Sequence, residues 1–322
     1  MQLYQLSGGT RRDEPEGSQP SRRLGGAGVD RGGVVGQQAQ RTARRRKLGT
    51  ALRAAREGAQ ISVAGAAEAV RGDSSKISRV ETGRQRLTRL ELDTLLDLYR
   101  VTDEKAREWL IALASEDRKR TWWGEHRDML PGGFKENLTL ESDAARIAVY
   151  QPQVVPGLLQ TRAYAKAVMS GSPDPWTDED LDFYTDFRIK RQRVFDREKP
   201  PQYLCVMQEG VIRQRIGGAA VMAAQVRRLL AMSCQPGIVI QIVPFSQSTF
   251  TCSGSAFYLY SYAGPIDLDV VQISLLDSAL YLEEDEAVAK YRWAFERLRA
   301  SALSAEQSVE LMTSVANGLE QE

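Results

Sequence analysis

The chain has 322 residues, 42% hydrophobic and 26% charged, with a formal net charge of +1. That balance excludes a chain too polar to fold, and the length suggests about two domains of ~100–200 residues each. The charge is unevenly placed: residues 41–100 carry 14 Lys or Arg against 7 Asp or Glu, and the residues after them carry 24 against 31. A basic block ahead of an acidic one suggests a nucleic-acid module fused to a part that does not touch nucleic acid, although short basic segments are also common as solvated faces. The cysteines, Cys205, Cys234 and Cys252, form no C-x-x-C pair. No zinc or disulfide framework is expected, and a reducing cytoplasm fits. No apolar run approaches the ~18 residues of a membrane span, and the N-terminus lacks the apolar stretch of a secretory signal, so no membrane partner is expected.

Residues 1–43 are rich in Gly, Ser, Gln, Arg and Pro and almost without apolar periodicity. They read as a disordered, basic, Gly-rich tail, because they bury too little surface to offset chain entropy. The run Arg41 to Lys47 is either a basic arm reaching DNA or the frayed, solvated start of a helix.

About five helices follow, in an all-α domain over 44–118. The first has Leu48, Leu52 and Ala55 on one face and ends at Gly58. The second runs from Ser62, as N-cap, to Val70; the third runs from Asp73 to about Thr82, with Gly83 as its stop. Leu90 to Leu98 form a fourth, and about Asp103 to Arg118 a fifth.

From Trp122 the texture changes, and 119–317 read as a larger α+β domain, with 318–322 as a tail. Pro131-Gly132-Gly133 and Pro152 to Gly157 punctuate loops. Leu158 to Met169, Glu179 to Phe195, Val221 to Met232, Glu283 to Arg299 and Ala305 to Leu319 read as helices. Tyr203 to Met207, Ile238 to Val243, Phe257 to Tyr260, Val270 to Ile273 and Ala279 to Leu282 read as strands. The fold class is therefore α+β, a small helix-turn-helix domain followed by a larger mixed domain.

The third helix keeps Ile77 and Val80 inward and turns Ser74, Ser75, Ser78 and Arg79 outward. Its first residues and those one turn later are the ones that meet base edges in a docked recognition helix. Ser74, Ser75 and Arg79 are the candidate base contacts, with Arg79 suited to a guanine edge. Lys76, Arg84 and Arg86, with Arg45 and Arg46 ahead of the first helix, are candidates for phosphates.

Ile77-Ser78-Arg79-Val80-Glu81-Thr82-Gly83 resembles the I-S-x-(I/L/V)-E-(N/T)-G signature of Cro/CI-type (XRE-family) helix-turn-helix domains, and the likeness runs from about Leu48 to Leu98. It implies a structural pair between Arg56 and Glu81. One departure is Arg71, at a turn position where the family usually has Gly. Either Arg71 accepts backbone strain or the turn shifts by one, which would move Ser74 and Ser75.

Tyr150-Gln151-Pro152-Gln153-Val154-Val155-Pro156-Gly157-Leu158-Leu159-Gln160-Thr161-Arg162-Ala163-Tyr164 resembles the Y-x-P-x-x-V-P-G-L-L-Q-T-x-x-Y motif of actinobacterial WhiJ-like, antitoxin-like regulators. Arg188 to Gln192, Glu209 with Gly217-Gly218, and Val239 to Pro244 continue the likeness. It implies a transcriptional regulator, often with a small partner protein encoded nearby. The motif itself reads as a turn followed by a buried helix, which suits fold maintenance; partner contact is the alternative.

Signals for catalysis are weak. His126 is the only histidine, which excludes His-based triads and multi-His metal sites. No phosphate-binding loop of the G-x-x-x-x-G-K-S/T kind is present. Glu283 to Glu286 open a helix, where acids suit the dipole better than they suit a metal. The aromatics Phe245, Phe250, Phe257, Tyr258, Tyr260 and Tyr262 read as strand packing, with a ligand groove as the alternative. The chain is therefore expected to bind double-stranded DNA as a cytoplasmic, nucleoid-associated homodimer, with no catalytic residue, cofactor or metal. Its C-terminal domain would answer to a small partner protein or ligand; the rival expectation is an antitoxin-like module whose DNA binding is only autoregulatory.

Overall fold

Short helices hold only if their ends are satisfied and one face is buried. The first five helices, α1 (Ala43–Gly58), α2 (Val63–Ala69), α3 (Ser74–Glu81), α4 (Arg89–Leu98) and α5 (Glu104–Ala114), each bury a face, and side-chain caps stand ahead of α2, α3 and α4. Ser62 Oγ accepts from Gly65 N at 3.0 Å ahead of α2, and Asp73 Oδ1 accepts from Lys76 N at 2.6 Å ahead of α3. Thr88 and Glu91 form a reciprocal capping box ahead of α4. Leu52, Ala66, Ile77, Val80, Leu92, Leu96 and Leu110 meet in one apolar core. α1 begins at Ala43, so Arg45 to Lys47 lie in its first two turns rather than in an extended arm.

The computed structural model describes residues 43–114, 132–172, 176–247, 255–263, 269–275 and 278–321, all within one compact unit. The tail expected over 1–43 lies outside them but for Ala43, as do Trp122, Trp123, His126, Phe250 and Cys252.

The second domain opens with α6 (Gly132–Asp143) and β1 (Arg146–Gln151). A 3-10 turn over Gly157–Leu159 leads to α7 (Arg162–Ser170) and α8 (Asp178–Lys190), which tightens into a 3-10 segment over Arg191–Asp196. Then come β2 (Gln202–Gln208), α9 (Glu209–Arg213), α10 (Ala219–Ser233), β3 (Ile238–Val243), β4 (Phe257–Ser261), β5 (Val270–Ser274), β6 (Ala279–Leu282), α11 (Asp285–Ser301) and α12 (Ala305–Glu320). The sheet order is β3-β2-β1-β4-β5-β6. β1, β2 and β3 are parallel, whereas β4, β5 and β6 join antiparallel, with Val149 opposite both Cys205 and Tyr258.

Both faces of the sheet are covered. Ile147, Val149, Tyr203, Cys205, Ile240 and Tyr258 pack under residues of α6, α7, α10 and α12. Ala148, Tyr150, Leu204, Phe257 and Val271 pack under α11 through Val288, Phe295 and Leu298.

Three sequence expectations change. β1 was not expected; it is a central strand buried on both sides, so it lacks the alternation that marks a half-exposed strand. Pro131-Gly132-Gly133 punctuates no loop at its glycines, because α6 starts at Gly132. Residues 318–320 are not a tail, because α12 continues to Glu320 and buries Leu319 in the core.

The long motif after β1 folds onto itself. Gln160 Nε2 donates to Val155 O at 2.7 Å, Val155 N donates to the Tyr164 hydroxyl at 3.2 Å, and Thr161 Oγ1 caps α7. Gln225 on α10 clasps the same turn, donating to Leu159 O at 2.9 Å and accepting from Thr161 N at 2.7 Å. Gln192 and Arg188 hold Gln160 from the other side. Close by, Arg191 Nη2 donates to Glu141 Oε1 at 2.8 Å with both side chains buried. Burial pushes the Glu141 carboxyl up against the pull of Arg191, and it lowers the Arg188 guanidinium to about 10.

Glu141→Ala is expected to cost about 3–5 kcal/mol in chemical denaturation, because it removes the buried carboxylate that Arg191 pairs with. Replacing Glu141 and Arg191 together by Leu and Met should recover most of that loss. A Glu141→Ala protein as stable as the parent would show that the pair contributes nothing to the fold.

Candidate nucleic-acid interface

α2 carries Ala66 and Ala67 toward the core, so it lies close on α3. The turn between them places Arg71 at φ +50°, with Arg71 N donating to Glu68 O and Gly72 N to Ala67 O. Arg71 therefore accepts the left-handed conformation, at a cost on the order of 1–3 kcal/mol, and the turn does not shift. Asp73 stays the N-cap, and Ser74 and Ser75 open α3.

α3 buries Ile77 and Val80 and leaves Ser74, Ser75, Ser78 and Arg79 exposed. Its height is set by α1. A Cβ at Gly49 would lie 2.4 Å from Glu81 O, and one at Gly83 (φ +71°) would lie 2.8 Å from Arg46 N. The two helices thus cross at backbone distance. Arg56 seals the crossing: Nε and Nη2 reach the two Glu81 oxygens at 2.6 and 3.0 Å, and Nη1 reaches Ile61 O at 3.0 Å. Hydrogen bonding to Glu81 holds the Arg56 guanidinium above its usual value. Burial, with the Glu81 charge behind it, pushes the neighbouring Tyr99 phenol up to about 12.

Arg79 is held ready. Its Nε donates to Gln85 Oε1 at 2.8 Å, and Asp73 Oδ1 lies 3.9 Å from Nη2, while 47% of the side chain stays exposed. Sequence reasoning missed Gln85. The available signal was Gly83: its positive φ turns the chain so that Arg84 N and Gln85 N return to Arg79 O.

The expected phosphate ligands divide. Arg84 and Arg86 are exposed beside α3. Lys76 is not open to phosphate as expected, because its Nζ pairs with Glu91 of the α4 capping box. Arg46 departs further: its Nη2 pairs with Glu136 on α6, its Nε pairs with Glu283 at 2.8 Å, and its guanidinium lies over the Tyr281 ring. Burial opposes that charge, and the two carboxylates restore it to above its ordinary value. Lys47 lies 3.6 Å from the centre of the Tyr262 ring. Arg45 is half-buried in the same turn. This end of α1 joins the second domain.

Residues 47–109 match a helix-turn-helix domain family. Residues 134–314 match a family described as a domain of unknown function, DUF5753. The chain belongs to the DUF5753 family. No curated protein and no solved structure matches it. The matched DUF5753 region starts within α6 and ends within α12, so it takes in the whole sheet, and the chain carries its helix-turn-helix domain ahead of it. Among the described residues no helix is long and apolar enough to cross a membrane.

Arg56→Ala is expected to cost about 3–5 kcal/mol, since it leaves Glu81 buried without its partner. Arg79→Ala and Gln85→Ala should stay within about 0.5 kcal/mol of the parent, both sites being exposed or partly so. Thermal melts of the three variants separate the structural pair from the reading residues; equal losses would contradict the division.

Proposed function

We propose that this chain is a sequence-specific DNA-binding transcriptional regulator of the Cro/CI type. The observation that carries the reading is the exposed face of α3, with Arg79 steered by Gln85 and flanked by exposed Arg84 and Arg86. Arg79 would chelate a guanine through O6 and N7, a contact worth ~1–3 kcal/mol of discrimination. Ser74 and Ser75 are short and would reach base edges directly or through water. Arg84 and Arg86 would neutralise phosphates on either side.

An eight-residue recognition helix covers few base pairs. Two copies on a pseudo-palindrome double the contact, so the working form is a homodimer, acting in the cytoplasm on the nucleoid. The WhiJ-like resemblance adds the second half of the reading: the α+β domain governs occupancy in response to a small partner protein or ligand. The hold of that domain on α1 through Arg46 and Lys47 supports this, because α1 is the helix that sets the height of α3.

The reading is tested by mapping bound sites across the genome and measuring affinity for the mapped site and a scrambled duplex. Arg79→Ala is expected to remove the preference for the mapped site and keep the background. Arg84→Ala and Arg86→Ala should weaken both duplexes alike, each lowering the slope of log K against log salt by about 1. An unchanged preference in Arg79→Ala would sink the assignment of the reading residue.

A further inference from the structure

α6 works on two sides. Glu136 holds Arg46, and Leu140 O accepts the Tyr262 hydroxyl whose ring lies under Lys47. Elsewhere on the same helix Glu141 and Ser142 line a half-open hollow of 130 Å³, whose other wall is Arg191 and Arg193 of the 3-10 segment with Arg197 just after it. The hollow is half open to solvent and well above the ~10–15 Å³ that one water needs, so it admits a small organic molecule.

The cavity has a built floor. Glu141 and Arg191 are 3% and 6% exposed and bonded at 2.8 Å. Glu141 Oε2 is buried and accepts no hydrogen bond among the described residues. A buried carboxylate oxygen without a donor costs free energy, so the site calls for one. The lining is mostly apolar, with Leu138 and Val194 in it; Arg193 and Arg197 also line it, are exposed, and are not ion-paired among the described residues. Two such guanidiniums over a neutralised pair attract an anion and suit an oxyanion fork.

We propose that this cavity is an effector site for a small organic oxyanion bearing a hydroxyl, with its phosphate or carboxylate at Arg193 and Arg197 and its hydroxyl turned to Glu141 Oε2. The inference rests on the regulator reading above for its consequence. Oε2 is closed to solvent, so an occupant reaches it only if the lining moves; on this proposal the moving element is α6, which carries Glu136 and Leu140 with it. Occupancy therefore alters the grip on Arg46 and Lys47, at the end of α1 that touches α3 beside Gly83. The ligand shifts DNA affinity by the difference in its affinity for the two placements of α6.

The test uses the full chain with glycerol 3-phosphate and 3-phosphoglycerate as probes, and inorganic phosphate and glycerol as controls. Binding is read by calorimetry, and affinity for the mapped DNA site is measured with and without probe. Saturable binding is expected for at least one probe, about tenfold tighter than inorganic phosphate and about tenfold weaker in the Arg193→Ala/Arg197→Ala double variant, whose sites are exposed. At saturation DNA affinity should change by about fivefold or more, and the change should vanish in Arg46→Ala and in the milder Glu136→Gln. No saturable binding, or binding equal to that of inorganic phosphate and indifferent to the double variant, overturns the site. Arginine-dependent binding that leaves DNA affinity unmoved overturns the link through α6. A protein that binds a probe in this way and binds no DNA at all refutes the regulator reading and leaves the site standing.

Discussion

The backbone-distance crossing of α1 over the end of α3 is the constraint on which the rest depends. Gly49 and Gly83 make it possible, since neither position has room for a Cβ. The Arg56–Glu81 pair then fixes the angle from inside, where water does not compete for either partner. With α3 pinned in this way, its short polar face and Arg79 are presented as one rigid surface. Few loosely held side chains would have to be ordered on binding, which keeps the entropic cost of recognition low.

The second domain grips the same helix, at the end whose backbone meets Gly83. Arg46 sits between Glu136 and Glu283, and Lys47 on Tyr262, so the first two turns of α1 belong as much to the α+β domain as to the helical one. The grip therefore falls on the turn of α1 that lies against the end of α3. On the C-terminal side the turn after β1 is held by Gln160, Gln192 and Gln225, a set of neutral hydrogen bonds with few alternatives. The sheet below it is buried on both faces. That part of the domain is scaffold, and α6 connects it to α1 through Glu136.

Much of this was legible in residues close together in sequence. Asp73 as cap, Ile77 and Val80 as the buried pair, and Gly83 as the stop follow from helical spacing and from the chemistry of helix ends. The Arg56–Glu81 pair came only from resemblance, because nothing local joins residues 25 apart. Misassignments arose where the partner is remote. Arg46 looks like a phosphate ligand until Glu283, 237 residues on, is folded against it. Glu283 in turn, among its acidic neighbours, reads from sequence as part of a helix start. Lys76 was lost to Glu91 for a related reason: the capping box was not anticipated. β1 hid because a strand buried on both faces has no alternation to show.

The central claim is that α3, and no other surface, enters the groove. A photo-crosslinking side chain placed at Ser78 on α3, and separately at Lys290 on α11, tests it on the full chain with duplex DNA carrying the mapped site. Cross-links to bases from position 78 and none from position 290 are the expected result. Cross-links from position 290 with none from position 78 would contradict the account.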